Sequence, residues 1–205
     1  MVSFFLFMSL YWVLYFPIVS SFDEAGLSIF RSWKWLAPFS LLGASVTIGV
    51  CSIALKLFLL IRKQIYGIIL VLVAVVGGYG LNILVKHMVK RERPPLSIEE
   101  GFSFPSGHVM MSSIYLLLVA YFLSQKVKKE SHRFIIYVVF VVLVGLTGMS
   151  RIVHQAHYPT DVLGGFTLAV SYLSLCITIY EFFQKNDLEH SLHSKLEKQK
   201  NIYPY

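Results

Sequence analysis

Six long apolar stretches dominate this sequence and leave little room for any other organisation. They lie at 3–21, 36–61, 65–85, 107–124, 134–150 and 160–183. A helix needs about 20 apolar residues to cross a hydrocarbon core about 30 Å thick, and each stretch meets or approaches that length. Composition agrees, since 56% of the 205 residues are hydrophobic and 14% are charged. The sequence predicts an all-α bundle of six transmembrane helices.

The two ends of the chain differ in character. The first apolar run has no basic segment before it and carries bulky aromatic residues throughout, so we expect a retained span and not a cleaved signal peptide. The last twenty residues are polar and mixed in charge. We therefore expect one membrane domain over 1–185, followed by a polar cytoplasmic tail over 186–205.

The distribution of Lys and Arg predicts the orientation. Ten of the 18 fall on the side of the termini and seven on the other, with Lys56 inside the second span. Cytoplasmic loops are enriched in Lys and Arg, so the termini are predicted to be cytoplasmic and the loops at 22–35, 86–106 and 151–159 to face outward. The basic residues form short clusters between apolar runs, so the net charge of +7 indicates no nucleic-acid partner. Cys51 and Cys176 lie within apolar runs, and we expect neither a disulfide nor a metal site from them.

The first stretch that suggests chemistry is KHMVKRERPP. Lys86 and Arg93 are seven residues apart, which places them on one side of a helix if the third span continues past its apolar part. Two cations that face one way would bind an anion. The alternative is a solvated basic loop that also contains Lys90 and Arg91.

The second stretch is FPSGHV. Pro105 ends the preceding loop, Ser106 suits an N-cap, and Gly107 leaves the backbone open to close approach. The fourth span would then begin with unpaired N–H groups, an arrangement that binds phosphate, and His108 would lie in its first turn. An ordinary helix cap with an interfacial histidine explains the same residues.

The third stretch is SRIVHQAHYPTDVLGG. Arg151 ends the fifth span, and Pro159 suits the start of the sixth helix, so Asp161 would lie in its first turn. From there its carboxylate could reach His157, four residues earlier, fix its tautomer and leave the other ring nitrogen as a base or nucleophile.

These residues leave the type of chemistry open. A serine nucleophile, Ser106 or Ser150, could use the same His–Asp pair. A metal site from His108, His154, His157 and Asp161 is a further alternative, although nearby cations would compete with the metal. Taken together, the three basic groups, two histidines, one carboxylate and helix N-terminus on one face suit phosphoryl transfer.

The three stretches resemble the three-part signature of the type 2 phosphatidic acid phosphatase superfamily, membrane lipid phosphatases that share a site with vanadium haloperoxidases. The signature runs from 86 to 161, and the six-span layout extends the similarity over nearly the whole chain. Size and layout are similar to bacterial members that act on phosphatidylglycerol phosphate or undecaprenyl diphosphate.

The resemblance implies a role for each signature residue. His157 would attack phosphorus to form a phosphohistidine, Asp161 would orient it, and His108 would protonate the leaving oxygen. The remaining signature residues would hold the phosphoryl oxygens: Lys86, Arg93, Ser106, Gly107 and Arg151. No metal or other cofactor is required in this scheme. Many relatives have Gly where this chain has Gln155, next to His154, which we expect to alter headgroup preference and not the chemistry.

The resulting hypothesis is a metal-independent lipid phosphatase of the bacterial cell membrane, with its site facing outward. Its partners would be the bilayer and a lipid phosphate. The competing hypothesis is a membrane protein that binds or transports a phosphate headgroup without turnover. Transport would need an ionisable path across the bilayer, and Lys56 is the one Lys or Arg that we find inside a span.

Overall fold

The computed structural model describes the backbone of residues 2–14 and 16–202 and the side chains of residues 3–12, 14 and 16–187. Within these residues the chain is helical and contains no strand. The elements are α1 (Val2–Val13), α2 (Pro17–Phe30), a 3₁₀ helix (Lys34–Gly43), α3 (Ser45–Ile61), α4 (Ile65–Val89), α5 (Gly107–Ser124), α6 (Glu130–Val153) and α7 (Pro159–Ile202).

The predicted all-α membrane bundle is confirmed, but two of the six predicted spans are bent pairs of helices. In the described part of the chain, four helices are long and apolar enough to cross a membrane: α4, α5, α6 and the Pro159–Asp187 part of α7. The α1–α2 pair, bent by 102°, and the 3₁₀–α3 pair, bent by 49°, each have the length and composition of one broken span or of a re-entrant loop. The prediction of one continuous helix over 3–21 was therefore wrong.

A proline lies at the first bend, and another lies in the helix that precedes the second bend. Pro17 opens α2, because proline lacks an N–H and is tolerated at the first position of a helix. Pro38 lies inside the 3₁₀ helix, and the chain becomes extended at Ala44 before α3 begins. At the other end, α7 continues into the predicted tail and ends at Ile202; residues 203–205 and the side chains after Asp187 lie outside the described part.

Helix α5 is the centre of the bundle. Of its 18 residues, 13 are buried, and it contacts α3, α4, α6, α7 and the 3₁₀ helix. The surrounding helices expose large apolar side chains instead, such as Ile69 and Val76 on α4, which suits a lipid-facing surface. The N-terminus of the most buried helix thus lies among the ends of its neighbours.

Two glycines bring α7 close to the start of α5. A Cβ at Gly165 would lie 2.6 Å from the carbonyl oxygen of Ser106, and one at Gly164 would lie 2.4 Å from the ring of Phe104. The Ser106 N–H donates to the carbonyl oxygen of Asp161 at 3.0 Å. These contacts hold the first turns of α5 and α7 side by side, so that residues 55 positions apart in sequence share one site.

The segment between α4 and α5 folds back over the helix ends. Lys90 ends α4 in the left-handed conformation, with φ of 53°. Ser103 then returns to the start of the segment, where its N–H donates to the carbonyl oxygen of Arg91 at 2.8 Å and its hydroxyl to that of Glu92 at 2.9 Å. Phe104 is fully buried and stacks on Phe7 of α1, with ring centroids 6.0 Å apart.

Candidate active site

A cavity of about 600 Å³ lies at the end of the bundle where α4 and α6 end and α5 and α7 begin. Five of the predicted site residues line it: Lys86, Arg93, Gly107, His108 and His157. The other three, Ser106, Arg151 and Asp161, lie directly behind this wall, each at most 5% exposed. All eight residues predicted from the sequence are thus brought together.

His157 and Asp161 form the pair that their spacing predicts. Asp161 is in the first turn of α7 and fully buried, and its Oδ2 lies 3.5 Å from Nδ1 of His157, which has no closer polar partner. The same Oδ2 accepts the N–H of Tyr158 at 2.8 Å. On the other edge of the ring, Nε2 of His157 lies 3.4 Å from Nη1 of Arg93. The Nε2 atom therefore faces the cations of the cavity.

Burial lowers the pKa of His157 from its ordinary value near 6.5. The Asp161 carboxylate opposes this shift, while Lys86 and Arg93 reinforce it, and the net direction is downward. A neutral imidazole has a lone pair on one ring nitrogen. His157 is thus held in the form that can act as a nucleophile or a base.

The start of α5 supplies donors to the cavity. Ser106 occupies the N-cap position, as predicted, but its hydroxyl makes no cap hydrogen bond and is buried without a partner. A Cβ at Gly107 would lie 3.2 Å from Oδ1 of Asn82, so a larger residue would crowd this wall. His108, in the first turn, lines the cavity beside His157. A free hydroxyl and the N–H groups at a helix N-terminus can together donate hydrogen bonds to an anion.

The three predicted cations converge, although not by the route that the sequence suggested. Helix α4 ends at Val89, so Arg93 does not continue the helical face of Lys86 as predicted. Instead, Arg93 extends from the following segment and donates from Nη1 to the carbonyl oxygen of Ala156 at 2.8 Å. Lys86 donates to the carbonyl oxygen of Phe102. Arg151 is 5% exposed, and its Nε has no hydrogen-bond partner.

Glu99 is a site residue that sequence reasoning missed. One carboxylate oxygen contacts Nη2 of Arg151, and the other lies 2.9 Å from Nη1 of Arg93. Burial by itself would raise the pKa of Glu99, but the guanidinium groups of Arg151 and Arg93 outweigh it, and the pKa is lowered. An ionised carboxylate therefore bridges two of the three predicted phosphate ligands.

Arg91 and Asp23 were also missed. The guanidinium of Arg91 donates to Asp161 at 2.6 Å and to Asp23 at 2.5 Å, and it lies over the ring of Tyr158 at 4.2 Å. Asp23, fully buried on α2, also accepts the N–H of Thr160 at 3.0 Å. The interpretation of Arg91 as part of a solvated basic loop was wrong, whereas Lys90 is exposed.

Two of the alternatives left open by the sequence, a Ser150 nucleophile and a metal site that includes His154, receive little support from the geometry. The Ser150 hydroxyl is buried and donates to the carbonyl oxygen of Thr147 at 2.6 Å, away from His157. His154 is exposed, and its Nε2 lies 3.3 Å from the carbonyl oxygen of Ala37. Within the described residues, no three His, Cys, Asp or Glu side chains are grouped as metal ligands.

Gln155 lies at a position that favours glycine. Its φ is 54°, in the left-handed region that side chains disfavour. Its side-chain amide donates to the carbonyl oxygens of Leu27 and Ile152, both at 3.1 Å. These bonds tie the turn before His157 to α2 and partly compensate the backbone conformation.

Comparison with known proteins gives the family. A model described as the PAP2 superfamily matches residues 65–185. Phosphatidylglycerophosphatase B of Bacillus subtilis (strain 168) is 37% identical over 94 residues, which are 44% of this chain and 46% of that protein. The alignment thus spans about half the length of this curated relative.

Two solved structures share the fold. The crystal structure of a transmembrane PAP2 type phosphatidylglycerolphosphate phosphatase from Bacillus subtilis matches with a TM-score of 0.79 and 28% identity, over 88% of this chain and 94% of that chain. Aquifex aeolicus LpxE matches with a TM-score of 0.56 and 22% identity, over 76% and 94%. Since the family model covers more than half of the chain, this protein belongs to the PAP2 superfamily.

Proposed function

We propose that this protein hydrolyses the terminal phosphate of a membrane lipid through a phosphohistidine on His157. The observation that carries the proposal is the position of His157. Its Nε2 faces Arg93 at 3.4 Å, in a cavity that continues from the cationic end toward the apolar faces of α3 and α4. Family membership supports the same class of reaction.

In the first step, Nε2 of His157 attacks phosphorus and the bond to the lipid oxygen breaks. His108 donates a proton to that leaving oxygen, which departs as an alcohol or, from a diphosphate, as a lipid monophosphate. The negative charge on the phosphoryl oxygens is met by Lys86, Arg93 and Arg151, together with Ser106 and the Gly107 amide. Asp161 stabilises the positive charge that the His157 ring acquires.

In the second step, a water molecule attacks phosphorus and the bond to Nε2 of His157 breaks. His108, now neutral, accepts the proton of the water, which returns both histidines to their starting states. The products of the cycle are the dephosphorylated lipid and inorganic phosphate. The scheme uses residues of this chain alone and predicts turnover without a metal.

The shape of the cavity supports a lipid substrate. Beyond the polar residues, its walls are apolar side chains and glycines of α3 and α4, including Ile48, Gly49, Val75 and Val76. An acyl or polyprenyl chain could lie between these helices while its phosphate reaches His157. Since the neighbouring surface of α4 is exposed and apolar, the substrate would enter sideways from the bilayer.

The two candidate lipids differ in where they arise. The charge distribution of the loops supports a site on the outer face of a bacterial membrane with both termini cytoplasmic, where undecaprenyl diphosphate is released. Similarity to phosphatidylglycerophosphatase B supports phosphatidylglycerol phosphate instead. Because the proposed contacts all hold phosphate and none identifies a headgroup, we propose that both are accepted.

The test is phosphate release by the purified protein in detergent. Phosphatidylglycerol phosphate, phosphatidic acid and undecaprenyl diphosphate are supplied side by side, with His157→Ala as the blank. We expect release from at least one lipid, absent in the variant and unchanged after prolonged treatment with a chelator. Binding of these lipids without release would favour the non-catalytic alternative, and activity that returns only with added zinc or magnesium would refute the metal-free mechanism.

A further inference from the structure

The position of Glu99 among the cations suggests a role that the family resemblance does not assign. Its two carboxylate oxygens contact two different guanidinium groups, one on Arg93 and one on Arg151. These belong to different parts of the fold, the segment after α4 and the end of α6. Glu99 also lines the cavity together with His108 and His157. The carboxylate therefore lies where the two arginines converge.

A carboxylate and a phosphate compete for the same donors. A carboxylate is planar and a phosphate is tetrahedral, but the oxygens of both accept paired N–H hydrogen bonds from guanidinium groups. The Nη atoms of Arg93 and Arg151 that bind Glu99 are the atoms that could bind phosphoryl oxygens. In addition, two anions at one site repel each other, so the phosphate and the Glu99 carboxylate cannot both hold these arginines at full strength.

The local structure allows Glu99 to leave while the arginines stay. Its side chain is 35% exposed, whereas those of Arg93 and Arg151 are 13% and 6% exposed. The preceding residue, Ile98, is 96% exposed, and Gly101 has a φ of 78°. Arg93 is held independently of Glu99 through the carbonyl oxygen of Ala156. Rotation of one surface side chain would thus uncover both guanidinium groups.

We infer that Glu99 is an internal competitor of phosphate, whose carboxylate must be displaced from Arg93 and Arg151 before a phosphate can bind there. The inference rests on the proposed function for its substrate, a lipid phosphate. Three cations and a helix N-terminus would otherwise hold inorganic phosphate, the second product, as well as the substrate. Glu99 lowers the affinity for both and so assists release of the product.

The experiment compares Glu99→Gln and Glu99→Ala with the wild type, and uses Glu100→Gln as the matched control because Glu100 is exposed and adjacent. KM for the preferred lipid and Ki for inorganic phosphate are measured in the same detergent. Both Glu99 variants should lower KM and Ki together by at least about fivefold, the smaller end of typical coupling between two ligands. The control should leave both unchanged.

A second measurement does not depend on turnover. Inorganic phosphate should raise the midpoint of thermal unfolding of the full-length protein, and should do so at lower concentration in both Glu99 variants than in the wild type. Unchanged KM and Ki would reject the inference, as would a loss of kcat with no change in Ki, which would place Glu99 in the chemistry. No phosphate-dependent shift in any of the proteins would also reject it.

The two proposals fail in different ways. If no lipid phosphate is hydrolysed by the wild type, the proposed function fails, while the thermal measurement still reports whether Glu99 competes with phosphate. If hydrolysis is observed and the Glu99 variants bind phosphate as the wild type does, the function stands and the competition is excluded.

Discussion

Arg91 Nη1 donates to Oδ1 of Asp161 at 2.6 Å, on the side of that carboxylate away from His157. Burial by itself would lower the pKa of Arg91, but Asp161 and Asp23 outweigh it and raise the pKa, so the guanidinium stays charged. A buried carboxylate without such a partner carries a large desolvation cost. Arg91 therefore both compensates the charge of Asp161 and fixes the direction in which it points.

Replacement of Arg91 should lower kcat more than it raises KM. Arg91→Met should lower kcat by about 10²-fold, the usual effect of a misplaced catalytic group, with a smaller change in KM. Arg91→Lys keeps the charge but cannot bridge Asp23 and Asp161, so its kcat should lie between that of the wild type and that of Arg91→Met. Lys90→Met, at an exposed position, is the control. Steady-state kinetics on the folded fraction would contradict this role if KM alone changed.

The His157–Asp161 pair predicts a graded loss of activity. His157→Ala should lower kcat by at least about 10⁴-fold, because the proposed mechanism assigns the covalent intermediate to this residue alone. Asp161→Asn should lower kcat by about 10²–10⁴-fold, since the imidazole remains but its orientation and charge compensation are lost. The assay is inorganic phosphate release. Near-normal turnover by His157→Ala would remove His157 from the mechanism.

The dependence of rate on pH should reflect the lowered pKa of His157. Because the proposed nucleophile is the neutral ring and burial lowers its pKa below the ordinary 6.5, the acid limb of kcat/KM should lie below pH 6.5. In the proposed mechanism His108 must be protonated to donate to the leaving oxygen, so the rate should fall again as the pH rises and His108 loses its proton, which gives a bell-shaped profile. A plot of kcat/KM against pH checks this, and an acid limb at pH 7 or above would contradict it.

The close approach of α7 to α5 can be tested through Gly165. A Cβ there would lie 2.6 Å from the Ser106 carbonyl oxygen, which is backbone and cannot rotate away. Gly165→Ala should therefore shift the start of α5 and lower both kcat and the thermal midpoint. Gly145→Ala on α6, where a Cβ meets nothing within 4 Å, is the control. Equal midpoints and rates for the two variants would show that this contact does not position Ser106.

The apolar part of the cavity can be tested by filling it. Gly49 lines the cavity and has open space around it, so Gly49→Trp should raise KM for long-chain lipid phosphates while a short-chain water-soluble phosphate ester is hydrolysed nearly as before. Gly80→Trp is the control, because Gly80 also has open space around it but does not line this cavity. Parallel losses with long and short substrates would argue against entry between α3 and α4.

Much of the fold and of the site could be predicted from sequence because the relevant signals are local. Apolar length marks the spans, and the signature residues lie within short stretches at helix ends. The bends were missed because the length of an apolar stretch does not reveal a break within it, although Pro17 was visible at the first bend and Pro38 in the helix before the second. The same limitation affected Lys86 and Arg93, whose predicted helical relation fails because α4 ends at Val89.

The missed site residues depend on contacts that no local pattern encodes. Asp23 meets Arg91 across 68 positions, and Glu99 meets Arg151 across 52. In the sequence, Asp23 belongs to a short polar interruption and Glu99 to an ordinary acidic loop. Only the folded arrangement of α2, α6 and the segment after α4 reveals that each carboxylate is paired with a site cation.

In the proposed reaction, lateral entry between α3 and α4 would also separate the two products by solubility. A dephosphorylated lipid would return to the bilayer, whereas inorganic phosphate would leave through the polar end toward water. The concentration that governs the rate is then the mole fraction of substrate in the surrounding lipid or micelle. Added detergent should slow the reaction by diluting the surface, even when the total amount of substrate is constant.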